Sequence, residues 1–287
     1  MFGGNKQADT EEKKVEDKAK NFDMFKFDGV KALRMGQQVY AIKCFRAALE
    51  INDDLEVRDY LATALVRNGE LLPAYEQLQK LAEAQPDNQA IFMQLANVAY
   101  MMEDYVAMSQ ACEKALLIDG NNARVHYLYA KACIGQGDLV NAVALLTKAI
   151  VLDPNYADAY LVRGQTLLKL GDLGGAREDM QLLLAALPAQ EDVLMLKARI
   201  EHAEGKADEA IATYGKVIEV NPFSTEAFTE RGQVKYEKGD MMGAKEDLQK
   251  VLELNPDKAA NISGDYSAEG IEHKVKQAYS NINPFGL

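Results

Sequence analysis

An all-α array of stacked two-helix units is what this chain encodes, and three periodicities carry that reading. Five of the seven prolines share one phase of a 34-residue period. Pro154, Pro188, Pro222 and Pro256 are consecutive, Pro86 lies two steps earlier, and the slot between holds Gly120, another helix breaker. Small residues recur at Gly29, Ala62, Ala96, Ala130, Gly164, Ala198 and Gly232. A second small residue follows each by twelve, at Ala41, Ala74, Ala142, Ala176, Ala210 and Ala244, with Met108 the exception. Glycine recurs between them at Gly36, Gly69, Gly137, Gly171, Gly205 and Gly239, with Glu103 the exception. Repetition at this length points away from a catalytic pocket and toward an extended binding surface.

From the N-terminus, residues 1–21 balance five Lys against five acidic residues and have little to bury. They read as a charged, disordered segment or a frayed helix. Seven repeats come next, at 22–54, 55–88, 89–122, 123–156, 157–190, 191–224 and 225–258, the first of 33 residues and the others of 34. The repeat from Ala157 to Gln190 shows how each is built. Tyr160, Gly164, Leu167 and Leu168 stand at helical spacing and predict a first helix of about 13 residues. Gly171 supplies a left-handed C-cap, and Asp172 can cap the next helix. Ala176, Met180, Leu183 and Leu184 mark that second helix, which Pro188 ends. The small residues at the eighth and twentieth places let the two helices approach closely. Neither helix buries its apolar stripe alone, so every repeat needs neighbours. Pro73 falls at the start of a second helix, where proline is tolerated.

After the repeats, residues 259–266 read as a linker. Ser267 can N-cap a helix whose apolar stripe is Ile271, Val275, Ala278 or Tyr279, and Ile282. Pro284 ends it and leaves Phe285-Gly286-Leu287 as an apolar tip. The expectation for residues 259–287 is therefore a linker, a helix capping repeat seven, and that tip. The alternative is a docking tail that inserts its tip into a groove of its own or a sister chain.

The small-residue pairs, glycine turns and closing prolines resemble the tetratricopeptide repeat (TPR) family. Gly137-Asp138-Leu139 through Ala142, and Ala149-Ile150-Val151-Leu152-Asp153-Pro154, come close to its pattern. The large aromatic expected early in the first helix is Arg58 in repeat two, His126 in repeat four and Leu194 in repeat six. The resemblance implies a right-handed superhelical α-solenoid whose first helices line a concave groove for peptides or protein segments. Carried over place by place, the groove residues are Met93, Asn97 and Tyr100 in repeat three, and Arg124, Tyr127, Lys131 and Ile134 in repeat four. Repeat five supplies Leu161, Gln165 and Leu168, repeat six supplies Met195, Arg199 and His202, and repeat seven adds Thr229, Gln233 and Tyr236. Asn97, Tyr100, Tyr127 and Tyr236 match common scaffold residues. The departures Met93, Arg124, Lys131, Met195, Arg199 and His202 are the more informative. Met adapts to a contact surface, and Arg or Lys can meet a carboxylate or a carbonyl. The competing reading is that the cations only balance Asp158, Asp192 and nearby acids. Chaperone-binding members of the family clamp a terminal carboxylate with Lys and, four residues on, Asn. No Lys-x-x-x-Asn occurs in this chain, so a chaperone partner of that kind is not expected.

Composition narrows the function classes. Net charge is −12 and no basic run exceeds Lys13-Lys14, which speaks against nucleic acid. No apolar stretch of about 18 residues is present to span a membrane, and the N-terminus lacks the apolar core of a secretory signal. Cys44, Cys112 and Cys133 lack metal-ligand spacing and fall in apolar helical stretches, as core thiols in a reducing compartment would. A cytoplasmic protein is the expectation. His202 is followed by Ala-Glu-Gly-Lys, not by a zinc-binding pattern, and Gly171, Gly174 and Gly175 follow no strand that would make them a phosphate cradle. No catalytic residue, metal site or cofactor is expected. The function expected is a non-catalytic protein–protein interaction module or scaffold. A self-assembly element using the C-terminal tail is the alternative, and an enzyme or small-molecule carrier the third.

Overall fold

The computed structural model describes residues 5–255 together with Val275 and Tyr279, with side chains from residue 17 onward. Fourteen helices and no strands occupy the described residues. They fall into two compact bodies, Met1–Asp138 and Leu139–Leu287. The first body holds α1 (Asn5–Arg34), α2 (Gln38–Ile51), α3 (Leu55–Arg67), α4 (Leu71–Ala84), α5 (Gln89–Met101), α6 (Tyr105–Ile118) and α7 (Ala123–Gly135). The second holds α8 (Leu139–Leu152), α9 (Ala157–Lys169), α10 (Leu173–Ala186), α11 (Glu191–Ala203), α12 (Ala207–Val220), α13 (Thr225–Glu237) and α14 (Met241–Leu254). The helices starting at Leu55, Gln89, Ala123, Ala157, Glu191 and Thr225 each open a repeat at its first residue, so the proline phase and the helix phase coincide. Within each body a helix packs on its sequence neighbours, and first helices of successive repeats also touch, α5 on α7 and α9 on α11.

The turns explain the sharp helix ends. Gly36, Gly69, Gly137, Gly171, Gly205 and Gly239 all take φ between 73° and 89°. Glu103 holds the same place in repeat three at φ 57°, a left-handed conformation that costs a side-chain-bearing residue about 1 kcal/mol. Aspartates then start several second helices. Asp104 accepts from the Ala107 amide at 2.9 Å, Asp172 from Gly175 at 3.0 Å and Asp240 from Gly243 at 2.9 Å.

At the N-terminus, α1 begins at Asn5 and runs without a break into repeat one. Lys, Glu and Ala dominate residues 5–20 and no Gly or Pro lies between Asn5 and Gly29, so nothing local stops the helix.

The small residues do what close packing asks of them. A Cβ on Gly29 would stand 2.5 Å from the Phe45 ring, and one on Gly164 would stand 2.9 Å from Leu196. The first body closes over one apolar cluster that includes Phe45, Leu65, Leu78, Phe92, Leu95 and Met108. Off-pattern His126 is buried, its Nε2 2.9 Å from the Gly120 carbonyl. Arg58 is buried too, bonded to Gln77 and Asp53. The three cysteines are free and buried, and burial pushes the Cys112 thiol up to about 12. The second body instead threads ion pairs through its core. Arg163 grips buried Asp179 with Nε–Oδ2 2.9 Å and Nη2–Oδ1 2.6 Å. Two repeats on, Arg231 grips buried Asp247 the same way, and Lys235 joins at 2.9 Å.

Val275 and Tyr279 are helical and 1% exposed, packed on Ala244 and Leu248 of α14. The Tyr279 hydroxyl donates to the Ala244 carbonyl at 3.3 Å, and its ring centroid lies 6.1 Å from that of Tyr236. A Cβ on Gly232 would fall 2.1 Å from this hydroxyl, so the eighth place of repeat seven must be glycine for Tyr279 to seat. The linker at 259–266, Ser267 and the Phe285-Gly286-Leu287 tip lie outside the described residues.

Candidate functional site

The residues assigned to the groove sit on first helices, and the two bodies present them differently. In the first body they come from α5 and α7. Met93 and Asn97 are half-buried, the Asn97 amide donating to the Met93 carbonyl one turn back at 2.8 Å. Asn122, the N-cap of α7, points its amide at the Met93 sulfur at 3.8 Å and donates to Gln89 at 2.7 Å, tying α7 to α5. Tyr100 is exposed at the end of α5. Lys131 reaches across from α7 and places its ammonium 3.7 Å from the Tyr100 ring centroid and 5.8 Å from that of Tyr127. An ammonium over a ring face gains about 0.5–1 kcal/mol or more as it loses water. Arg124 is exposed in the first turn of α7, and Ile134 is half-buried. Among the described residues, neither Arg124 nor Lys131 has a carboxylate partner.

In the second body the corresponding cations are engaged. Arg199 on α11 meets Glu230 on α13 through Nε–Oε2 at 2.9 Å and Nη2–Oε1 at 2.6 Å, and meets Glu226 at 2.6 Å. The buried Tyr214 hydroxyl donates to Glu230 Oε2, the oxygen that also accepts from Arg199 Nε, at 2.8 Å. Burial works against the Arg199 charge, but the hydrogen bonds and field of Glu230 outweigh it and raise its pKa above the usual guanidinium value. Burial, reinforced by the charge of Glu230, also holds the Tyr214 phenol far above its ordinary range. His202 Nε2 lies 2.7 Å from Glu237 of the next first helix.

Several assigned residues are core rather than surface. Met195 is 3% exposed, enclosed by Tyr214, Val217 and their neighbours, because α12 and α13 close over the fifth place of repeat six. Leu168 is buried with Met180 and Leu196, and Leu161 packs against that cluster. Gln233 is buried, donating to Glu237 at 2.6 Å. Thr229 turns its hydroxyl back to the Thr225 carbonyl at 2.7 Å, and Tyr236 packs on Tyr279. Leu161, Thr229, Tyr236 and Gln165 are half-buried, and Gln165 lines a hollow of about 180 Å³ with Leu168, Lys169 and Arg199.

A second concavity, not read from sequence, lies on the second-helix side of the first body. This groove of about 850 Å³ runs between α4 and α6 over Phe92 and Leu95, with Lys114 5.9 Å from the Phe92 ring and Leu117 strongly exposed at its edge. Among the described residues, no cluster of three His, Cys, Asp or Glu could hold a metal ion, and no helix is long and apolar enough to cross a membrane.

Family models described as tetratricopeptide repeat match residues 133–200, 191–224 and 225–258. No curated protein matches by sequence. Among solved structures, a tetratricopeptide repeat protein from Parabacteroides merdae ATCC 43184 aligns with TM-score 0.72 at 16% identity, over 90% of this chain and 99% of that one. PilW, described as a widely conserved type IV pilus biogenesis factor, aligns with TM-score 0.63 at 19% identity, over 75% of this chain and 96% of its own. A chain of the APC/C hetero-tetramer Cut9–Hcn1 aligns with TM-score 0.60 at 15% identity, over 92% of this chain and 54% of that one. At these identities the likeness is one of fold.

Proposed function

This chain is a tetratricopeptide repeat protein, and we propose that it is a non-catalytic, cytoplasmic scaffold binding a protein segment on the first-helix face of its first body. One observation carries the proposal. Arg124 is exposed and Lys131 lies over aromatic rings on that face, while Arg199 and His202 are bonded to carboxylates of their own chain. A cation already paired cannot be offered to a partner without exposing the charge it leaves behind. Arg124 and Lys131 keep their donors for a partner's carboxylates or carbonyls. Met93, Tyr100 and Tyr127 add adaptable and aromatic contact area next to them. The three buried free thiols suit a reducing compartment.

The test is a quantitative pull-down with the full chain as bait. Arg124→Glu with Lys131→Glu is expected to lower recovery of partners by about tenfold, because rim and centre charges steer and register a bound segment. Lys148→Glu with Lys216→Glu, exposed second-helix lysines, makes the same charge change and is expected to leave recovery intact. Equal recovery by wild type and the Arg124/Lys131 variant, with both folded, sinks the proposal.

A further inference from the structure

Among the described residues, the leading face of α1 leaves open places that every later first helix buries. The third place of a repeat is buried in every later first helix, at Val57, Ile91, Val125, Ala159, Val193 and Ala227. The same place in α1 is Met24, and it is 49% exposed. The sixth place meets the preceding second helix at Tyr60, which stacks on Phe45 at 5.7 Å, and at Glu230, which accepts from Tyr214. In α1 that place is Phe27, 67% exposed. The tenth place, buried from Ala64 through Val234 in the later repeats, is Lys31 and exposed. Among the described residues no second helix precedes α1 to cover this face, whereas the far end of the second body is covered by Val275 and Tyr279.

We propose that the Met24–Phe27 face of α1 docks against the same face of a second copy of this chain. Charge identifies the occupant. Asp23 and Lys31 are exposed and lie one turn either side of Phe27, on the same ridge of the helix. An antiparallel pair of α1 helices with its two-fold axis at Phe27 brings Asp23 of each copy against Lys31 of the other. The row is therefore self-complementary, as an isologous interface requires. Lys20 and Arg34 face each other farther out, about 10 Å along the axis from the crossing, where inclined helices have already diverged. A head-to-tail arrangement would need the α14 face that Tyr279 occupies, so the symmetric pairing is favoured.

Sedimentation velocity on the full chain across a concentration series tests this. Wild type is expected to dimerise, and Phe27→Asp to weaken the dimer by about tenfold or more, as loss of a central aromatic anchor does. Phe27 is largely exposed, so the helical signal in circular dichroism should not change. Asp23→Lys and Lys31→Asp should each weaken self-association, and an equimolar mixture of the two should form a heterodimer tighter than either homodimer. A wild type that stays monomeric at high concentration overturns the proposal. So does a dimer indifferent to Phe27→Asp, or a mixture of the charge variants showing no preferential pairing.

Discussion

Lys131 and Arg199 stand at the same ninth place of their repeats, one in each body, and they have opposite fates. Each meets a side chain on an adjacent first helix. For Lys131 that neighbour is Tyr100, whose ring takes the ammonium but neutralises nothing. For Arg199 it is Glu230, which binds two of its nitrogens and is itself held by Tyr214. The repeat decides where a ninth-place side chain points. The residue facing it from the neighbouring repeat decides whether that side chain is free to act on another molecule. The same contrast runs through the interiors. The first body buries few polar side chains, Arg58 and His126, while the second buries Thr166, Asp179, Thr213, Ser224, Glu230, Gln233 and Asp247. Buried charges demand partners in fixed geometry, so the second body is the more specified and the first the more available.

Substitutions at the two ninth-place contacts should separate the bodies most clearly. Glu230→Gln keeps the shape and removes the charge, leaving Arg199 mostly buried with Glu226 as its remaining carboxylate. Its expected cost is about 2–4 kcal/mol in chemical denaturation, because a buried charge loses its counter-ion. Lys131→Gln should cost no more than about 1 kcal/mol, the scale of a cation–π contact. Equal losses from the two would break the comparison.

A smaller effect of opposite sign is expected at the turn of repeat three. The corresponding turns of the second body all carry glycine, at Gly171, Gly205 and Gly239, while Glu103 holds its left-handed conformation with a side chain. Glu103→Gly should stabilise by up to about 0.5 kcal/mol, the relief of about 1 kcal/mol of strain partly offset by the extra freedom given to the unfolded chain. A lower thermal midpoint would show that Glu103 makes a compensating contact.

Acid should produce the smallest difference. The hydrogen bond from Lys206 leads in lowering the Glu204 pKa below 4.5, burial opposes it, and Arg177 adds to the lowering. A carboxyl with a depressed folded-state pKa stabilises the fold above its unfolded value, and that contribution drains away as pH falls through the folded value. Wild type should therefore lose a few tenths of a kcal/mol more than Glu204→Gln between about pH 5 and pH 3, a small amount because the pairs are near solvent. Identical acid profiles would place the acid sensitivity elsewhere.

The frame of the fold is legible in the chain because it depends on residues with one physical meaning each. Proline stops a helix, glycine turns it, and a small residue admits its neighbour. The capping role of Asp172 follows from the same local rules. The site is only partly legible, since exposure is decided by what lies across from a residue. Met195 and Leu168 hold places assigned to the groove, yet α12 and α13 in one case and α10 and α11 in the other cover them. Sequence alone offers Asp158, Asp192 and nearby acids as a balance for the groove cations, while the partners Arg199 takes, Glu226 and Glu230, lie on the next first helix. Local spacing on one helix is blind to such a pair, and only a comparison one repeat downstream exposes it. The open leading face of α1 is invisible for a related reason. Met24 looks like an ordinary core residue until the same third place is seen to be buried in every later repeat.

The even spacing of the repeats also bears on how such a chain can change its length over generations. Where repeats present the same faces fore and aft, a block copied or dropped by unequal exchange leaves every survivor with a neighbour it already fits. The junction between repeats six and seven does not have that freedom. Arg199 belongs to one and Glu230 to the other, so inserting or removing a block between them would strand both ions. That pair acts as a lock on order, and heritable edits should accumulate at junctions where no charge crosses.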